Sequence, residues 1–278
     1  MRTDLEALFD CPPVQYEKHH FDLFAEFLNG LNSGVIRAAG RDSNSPTGWM
    51  VNSWVKKGIL LGFRMGSIVP LPVNANKQPF FDKDTYPLHP FNLEDKVRIV
   101  PGGSSIRTGC FIAKGVVCMP PMYVNVGAYI DEGTMIDSHA LVGSCAQIGK
   151  RVHLSAASQI GGVLEPVGAS PVIVEDDVLI GGNCGVYEGV VIKKGAVLGS
   201  GTILNRSTPV YDLVNEIVIS ATDDVPLVIP ENAVVVPGAR KISSGKGAEW
   251  GLSVSTPIIV KYRDEKTDRR IQIEDLLR

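Results

Sequence analysis

The sequence has no apolar run long enough to cross a bilayer, and its opening residues, Met1-Arg2-Thr3-Asp4-Leu5-Glu6, lack the hydrophobic stretch of a secretory signal. Neither sign of charge dominates. Lysine and arginine total 27 against 30 aspartates and glutamates, and the net charge of −3 offers no electrostatic reason to bind nucleic acid or a membrane surface. The five cysteines (Cys11, Cys110, Cys118, Cys145, Cys184) show no CxxC spacing, so neither a zinc clip nor a dithiol redox motif is written here. The chain also lacks a Walker motif and a GxGxxG turn opening a helix, which removes the common nucleotide-binding designs. These absences leave a cytoplasmic, reduced, metal-free protein as the expectation, and 278 residues suffice for a sizeable core and two or three domains.

What is present is a beat of six. An aliphatic or near-aliphatic residue recurs without a slip at Ile106, Ile112, Cys118, Val124, Ile130, Ile136, Val142, Ile148, Leu154 and Ile160. The beat resumes in a new phase at Val174, Ile180, Val186, Ile192, Leu198, Leu204 and Val210. Neither a helix of period 3.6 nor a strand of period 2 produces this over such a length. The residue two places earlier is usually small, as at Cys110, Ala128, Thr134, Ala140, Ala146, Ser158, Cys184, Ala196 and Thr202. The residue just after is often glycine, as at Gly143, Gly149, Gly161, Gly181 and Gly199. The pattern predicts a triangular coil of three short strands per turn, with aliphatic residues on the axis and the glycines permitting the turn at each corner. Seventeen hexads make almost six coils, a prism about 27 Å long at the interstrand spacing. Val174 comes fourteen residues after Ile160, read as two hexads plus two, with the surplus in a loop ejected within Gly162–Ala169. Loops on rigid solenoids are frequent carriers of binding function.

The flanks do not follow the beat. The spacing predicts a helix from Tyr16 to Leu31, a strand from Gly34 to Ala39, a second helix from Val51 to Phe63, and loop from Pro70 to Pro90. After Val210 a hairpin is expected within Tyr211–Val228, then one more repeat unit at 229–238, a strand at Pro257–Tyr262 and a short helix at Ile273–Leu277. The domains are accordingly placed at 1–97 (an α/β or helical cap), 98–240 (the prism) and 241–278 (a strand-and-helix cap that covers the open end).

At residues 122–137, Met122-Tyr123-Val124-Asn125-Val126-Gly127-Ala128-Tyr129-Ile130-Asp131-Glu132-Gly133-Thr134-Met135-Ile136-Asp137, the sequence resembles the tetrahydrodipicolinate N-succinyltransferases of the hexapeptide-repeat family. Val142–Lys150, the Gly161-Gly162-Val163-Leu164-Glu165-Pro166 segment, the lead-in Val97–Pro101 and the ending Ile271–Arg278 carry the same likeness, which covers roughly residues 50–278 and is weak before that. The resemblance implies a mainly β fold, a left-handed parallel β-helix. It also implies a homotrimer with sites between subunits, no tightly bound cofactor, and transfer of succinyl from succinyl-CoA to the amine of ring-opened tetrahydrodipicolinate on the route to diaminopimelate and lysine.

The same resemblance nominates residues. Arg98 matches the family's substrate-binding arginine, and a dicarboxylate suits a planar, permanently charged fork. Asp137 matches the active-site aspartate, expected to bind substrate and to orient or deprotonate the amine, since only the neutral amine attacks a thioester. Better-known members carry a glutamate where this chain has Gly185, so either Asp137 works with water or the nearby Glu188 substitutes. Coenzyme A is expected along the C-terminal coils, with Ser155, Ala157, Gly182, Gly201, Arg206, Arg240 and Lys241 as its candidate contacts. His153 matches a family histidine, whereas His139 stands where tryptophan is usual; both read as structural or surface residues. Three readings compete. One is a hexapeptide N-acetyltransferase acting on the same or another amine. Another is a zinc hydratase on the same prism, which needs three converging imidazoles where the repeat offers two. The last is a non-catalytic scaffold.

Overall fold

The computed structural model describes residues 1–70 and 80–264. The expected helix at Ile273–Leu277 lies outside them, as do residues 71–79 of the expected loop. From Arg98 onward the chain winds through two-residue strands separated by four-residue corners. Every third strand stacks in parallel on the one before it, with an 18-residue offset such as Tyr129 on Gln147 and Ile130 on Ile148. Three faces result. The first runs from Phe111–Ile112 to Val228–Ile229 and the third from Ser105–Ile106 to Ile203–Leu204, each with six strands. The second runs from Arg98–Ile99 to the long strand Ala233–Lys241 and is extended by Ser253–Tyr262 and a hairpin to ten strands. The aliphatic position of each hexad points inward: Ile130, Ile136, Val142, Ile148, Leu154 and Ile160 are all fully buried in one axial core. No helix among the described residues is long and apolar enough to cross a membrane.

Three expectations about the repeat are corrected. First, Ile148 pairs directly with Val174, 26 residues on rather than 18, so the loop after Ile160 carries eight residues beyond a single hexad, not two beyond a pair. Second, Val210 does not continue the coil. The next first-face strand is Val228–Ile229, and Val210–Asp212 instead forms a hairpin with Ile217–Ile219 and pairs with Ser253–Tyr262. Third, the glycines that follow the aliphatic residue do not make the turn. The left-handed backbone falls two places later, at Gly127, Gly133, His139, Cys145, Arg151, Ala157, Asn183 and Gly201. Gly143 is glycine because the next coil presses on it: a Cβ there would sit 2.2 Å from the Gly162 nitrogen.

The N-terminal part folds over one side of the prism. Helices α1 (Arg2–Asp10), α2 (Lys18–Asn32) and α3 (Ser53–Met65) pack through Leu5, Phe24, Phe27, Val55, Ile59 and Leu61. α1 had no counterpart in the sequence reading. The expected strand 34–39 is instead Ala39–Arg41, paired with Trp49–Val51, and part of the expected loop is a hairpin of Ile68–Pro70 with Phe81–Lys83. The helical cluster includes Val126 and Cys145, two residues at corners between the third and first faces. Ala39 and Trp49 cover Ile173 and Val191 on the first face. Burial pushes the Cys118 and Cys145 thiols up to about 12, consistent with cysteine used here as a small hydrophobe.

Glu175 fastens this cover. Its buried carboxylate accepts from Arg41 Nη1 (2.7 Å), Trp49 Nε1 (3.0 Å) and Lys193 Nζ (3.2 Å). Burial alone would raise its pKa, but the hydrogen bonds from Trp49 and Lys193 and the two positive charges outweigh that and hold it below the ordinary 4.5. A depressed folded-state pKa gives stability that is present above the ordinary value and lost as pH falls through the folded one. Glu175→Gln is therefore expected to lower Tm at pH 7 by several degrees, with the gap to the parent protein closing as pH falls below the ordinary 4.5 and through the depressed folded-state value. Thermal unfolding from pH 3 to 8 checks this; a pH-independent gap would contradict it.

Candidate active site

Both insertions in the coil leave by the same edge. The segment after Ile160 and the segment after Leu204 each replace a corner between the third face and the first. The one regular corner between them is Tyr187-Glu188-Gly189-Val190. A cleft of about 770 Å³ opens there. Gly161–Val163, Glu165, Pro166 and Gly168–Ser170 wall one side, Arg206, Asp223, Asp224 and Pro226 the other, and Tyr187 with Glu188 forms the floor. Unlike the corners with a single left-handed residue, this one has two in succession, Glu188 (φ 55°) and Gly189 (φ 74°). A non-glycine residue held there stores about 1–3 kcal/mol of strain, and such strain clusters at functional positions. Glu188 is exposed, and its Oε2 accepts the Arg206 backbone N–H at 3.0 Å. The Arg206 guanidinium donates to the carbonyls of Thr222 (2.5 Å) and Asp223 (2.7 Å), bracing the outer wall.

Gly185 lies one strand residue before this corner, on the third face. A Cβ added there would sit 2.5 Å from Tyr187 Cε2 and 2.8 Å from its hydroxyl oxygen. The tyrosine ring thus fills the space that any side chain at 185 would need. Spacing alone could have drawn attention to Tyr187, which is two residues from Gly185 and therefore on the same side of the chain.

The remaining candidates sort by edge. Asp137 follows the second-face strand Met135–Ile136 and opens the corner to the third face. Its Oδ1 accepts the Ser138 N–H at 2.7 Å. Ser155, Ala157, Gly182 and Gly201 occupy successive corners of that same edge. They form a strip of small residues stitched coil to coil by Ala157 N–H to Ser138 O (2.8 Å), Asn183 N–H to Ala156 O (3.0 Å) and Gly201 N–H to Gly182 O (2.9 Å). Arg98 is exposed on the first strand of the second face. Arg240 and Lys241 are exposed at the far end of the long strand, paired with Val254 and Ser253. The chain therefore brings Asp137 together with four of the coenzyme candidates on one edge, and Glu188 with Arg206 on another. It does not bring Asp137 and Glu188 to a common corner. His139 is exposed at the Asp137 edge, His153 is buried on the second-face strand His153–Leu154, and among the described residues no three His, Cys, Asp or Glu side chains gather as metal ligands.

Lys56 was not singled out by the sequence. It is fully buried in α3, and its Nζ donates to the Ala169 carbonyl of the cleft wall. A lysine beside apolar neighbours on a helix reads as a solvated flank, so no local signal marks it.

The comparisons with known proteins agree with this architecture. Residues 5–65 match the family described as tetrahydrodipicolinate N-succinyltransferase N-terminal, and residues 171–206 match the hexapeptide repeat of succinyl-transferase. The likeness thus reaches into the N-terminal helices, where the sequence motifs were weak. The chain is 42% identical over 258 residues to the 2,3,4,5-tetrahydropyridine-2,6-dicarboxylate N-succinyltransferase of Bradyrhizobium diazoefficiens, covering 91% of this chain and 88% of that one. It is 44% identical over 256 residues to the enzyme of the same name from Polynucleobacter asymbioticus, covering 90% and 87%. With that of Nitrobacter winogradskyi it shares 41% over 287 residues, covering 100% and 98%. A left-handed parallel β-helix with hexapeptide repeats, a helical N-terminal part and relatives this similar over nearly full length place the chain in the 2,3,4,5-tetrahydropyridine-2,6-dicarboxylate N-succinyltransferase family.

Proposed function

We propose that the protein transfers a succinyl group from succinyl-CoA to the amine of ring-opened tetrahydrodipicolinate, within a homotrimer whose sites lie between neighbouring subunits. The observation that carries the intersubunit site is the separation of the two carboxylates. Asp137 and Glu188 occupy different edges of one prism, so a site using both draws them from two chains. The N-terminal segment already occupies the first face, through Glu175 and through Arg37, whose guanidinium lies 3.5 Å over the Tyr129 ring. The second and third faces, where Leu179, Tyr123, Leu141 and Ile203 keep exposed surface, remain for self-association, and the Asp137 edge lies between them. Cyclic packing of such a surface buries it three times over.

In this reading the pantetheine arm runs along the strip of small residues at Ser155, Ala157, Gly182 and Gly201, past the exposed Asn183, toward Arg240 and Lys241 for the phosphates. Arg98 holds a substrate carboxylate, and the carboxylate of Asp137 takes the proton from the attacking amine. The amine nitrogen bonds to the thioester carbonyl carbon, the carbon–sulfur bond breaks, and coenzyme A leaves as the thiol once the proton is returned to sulfur. Glu188 of the neighbouring subunit faces the acceptor from its cleft. Arg206, its guanidinium occupied by two carbonyls, shapes that cleft rather than meeting phosphate.

With 2-aminopimelate as a stable amine, succinyl-CoA is expected to be turned over and acetyl-CoA much more slowly. Asp137→Asn should lower kcat/KM by about 100-fold or more and Glu188→Gln by about tenfold. Initial rates with both acyl donors check this; full activity in Asp137→Asn would sink the assignment, and an acetyl preference would favour the N-acetyltransferase reading. The Tyr187 ring makes a separate prediction. Gly185→Ala should destabilise by about 1–3 kcal/mol, and by much less in a Tyr187→Ala background, since the ring is what the new methyl meets. Equal costs in both backgrounds, measured by denaturant unfolding, would contradict this packing.

A further inference from the structure

Lys56 is the most unusual charge in the described chain: a lysine with no exposed surface, inside a helix whose other inward residues are Val55, Ile59 and Leu61. Burying an ammonium is costly, and a methionine or leucine would fill the same volume without that cost. Burial accordingly lowers its pKa, with Cys145 acting weakly in the opposite sense. What the lysine does with its position is reach past the corner of Cys145 to the carbonyl of Ala169, 113 residues away in sequence. Ala169 belongs to the eight-residue surplus that walls the cleft.

The loop has few other fastenings. Val163 N–H donates to Ser144 O at 3.1 Å, Ala169 N–H donates to Pro166 O at 2.9 Å, and Leu164 packs at the margin of the helical cluster. The residue after Ala169 then meets the catalytic corner directly. Gly189 is so close to Ser170 that a Cβ on it would sit 2.7 Å from the Ser170 carbonyl oxygen. The chain of contact therefore runs from Lys56 to Ala169, to Ser170, to Gly189, and Gly189 is bonded to Glu188.

We propose that Lys56 is a positioning residue for the acceptor cleft, through which the N-terminal helices set the 162–170 loop against the Glu188 corner. The lysine touches neither substrate nor reacting atoms; it fixes the wall that the acceptor meets. This rests on the cleft being the acceptor side of the site proposed above. It also gives the helical domain a part in the reaction beyond covering the prism.

Lys56→Met, which keeps the length and removes the charge, separates positioning from mere stability. It should leave Tm within a few degrees of the parent, because exchanging a buried charge for an apolar chain is close to neutral. Backbone amides of residues 162–170 should exchange with deuterium about tenfold faster, with the coil amides unchanged. KM for the amine should rise about tenfold, while KM for the acyl-CoA stays within about twofold and kcat within about threefold. Unchanged loop exchange, an amine KM within twofold of the parent, or faster exchange throughout the chain with a lowered Tm would each overturn the proposal. If Lys56→Met does not fold, Lys56→Gln is judged by the same criteria. Deuterium exchange needs no substrate. A parent protein inactive with succinyl-CoA would therefore sink the functional reading, while loop exchange alone decided whether Lys56 orders the wall.

Discussion

The structure depends on one constraint, the parallel stacking of each coil on the coil 18 residues before it. A strand that broke this register would expose backbone donors and acceptors on two neighbours at once and lift an aliphatic residue off the axis. Extra sequence can therefore be accommodated only at corners, and only by leaving the prism entirely. Two such departures, after Ile160 and after Leu204, use the same edge with one regular corner between them. The cleft is the consequence. It is the gap left between two excursions from a scaffold that cannot bend to close it.

The same rigidity explains why the N-terminal helices matter. A prism edge supplies a fixed floor, here the strained corner of Glu188 and Gly189, but an ejected loop of eight surplus residues has no register to hold it. Beyond one backbone bond to the coil, from Val163 N–H to Ser144 O, its order draws on side chains outside the coil. α3 supplies them where it crosses the third-to-first edge, with Ile59 against Gly127 and Lys56 reaching on to Ala169. Gly58 and Gly62 let α3 come this close to the rest of the helical core, since a Cβ at 62 would lie 2.3 Å from Phe24 Cζ.

Much of this was legible in the sequence, and the failures have definite causes. The period of six fixes which residue faces the axis, and Ile106 through Leu204 sit where it puts them. Edge identity needs a period of 18: Asp137 and Ser155 differ by that number and share an edge, but after the first insertion such counting stops working. For the same reason a gap of fourteen could be parsed as two hexads plus two, when strand pairing makes it one hexad plus eight. Val210 kept the beat by coincidence, as a buried residue of the hairpin. The glycine after each aliphatic residue was assigned a torsional role, whereas its requirement is steric and comes from a coil that is distant in sequence. Tyr187 over Gly185 and the buried reach of Lys56 are tertiary facts, with no local pattern to announce them.

The central claim is that one reaction site is assembled from the Asp137 edge of one chain and the Glu188 cleft of its neighbour. Co-expression of Asp137→Asn and Glu188→Gln chains with separable tags tests it most directly. Every mixed trimer purified through both tags contains one interface of its three in which both wild-type carboxylates meet, so about a third of the sites are intact. The account predicts that succinyl transfer recovers to a comparable fraction of the parent rate, well above that of either variant alone. Mixed assemblies no more active than the better single variant would contradict it, because a site contained within one chain cannot be restored by exchanging partners.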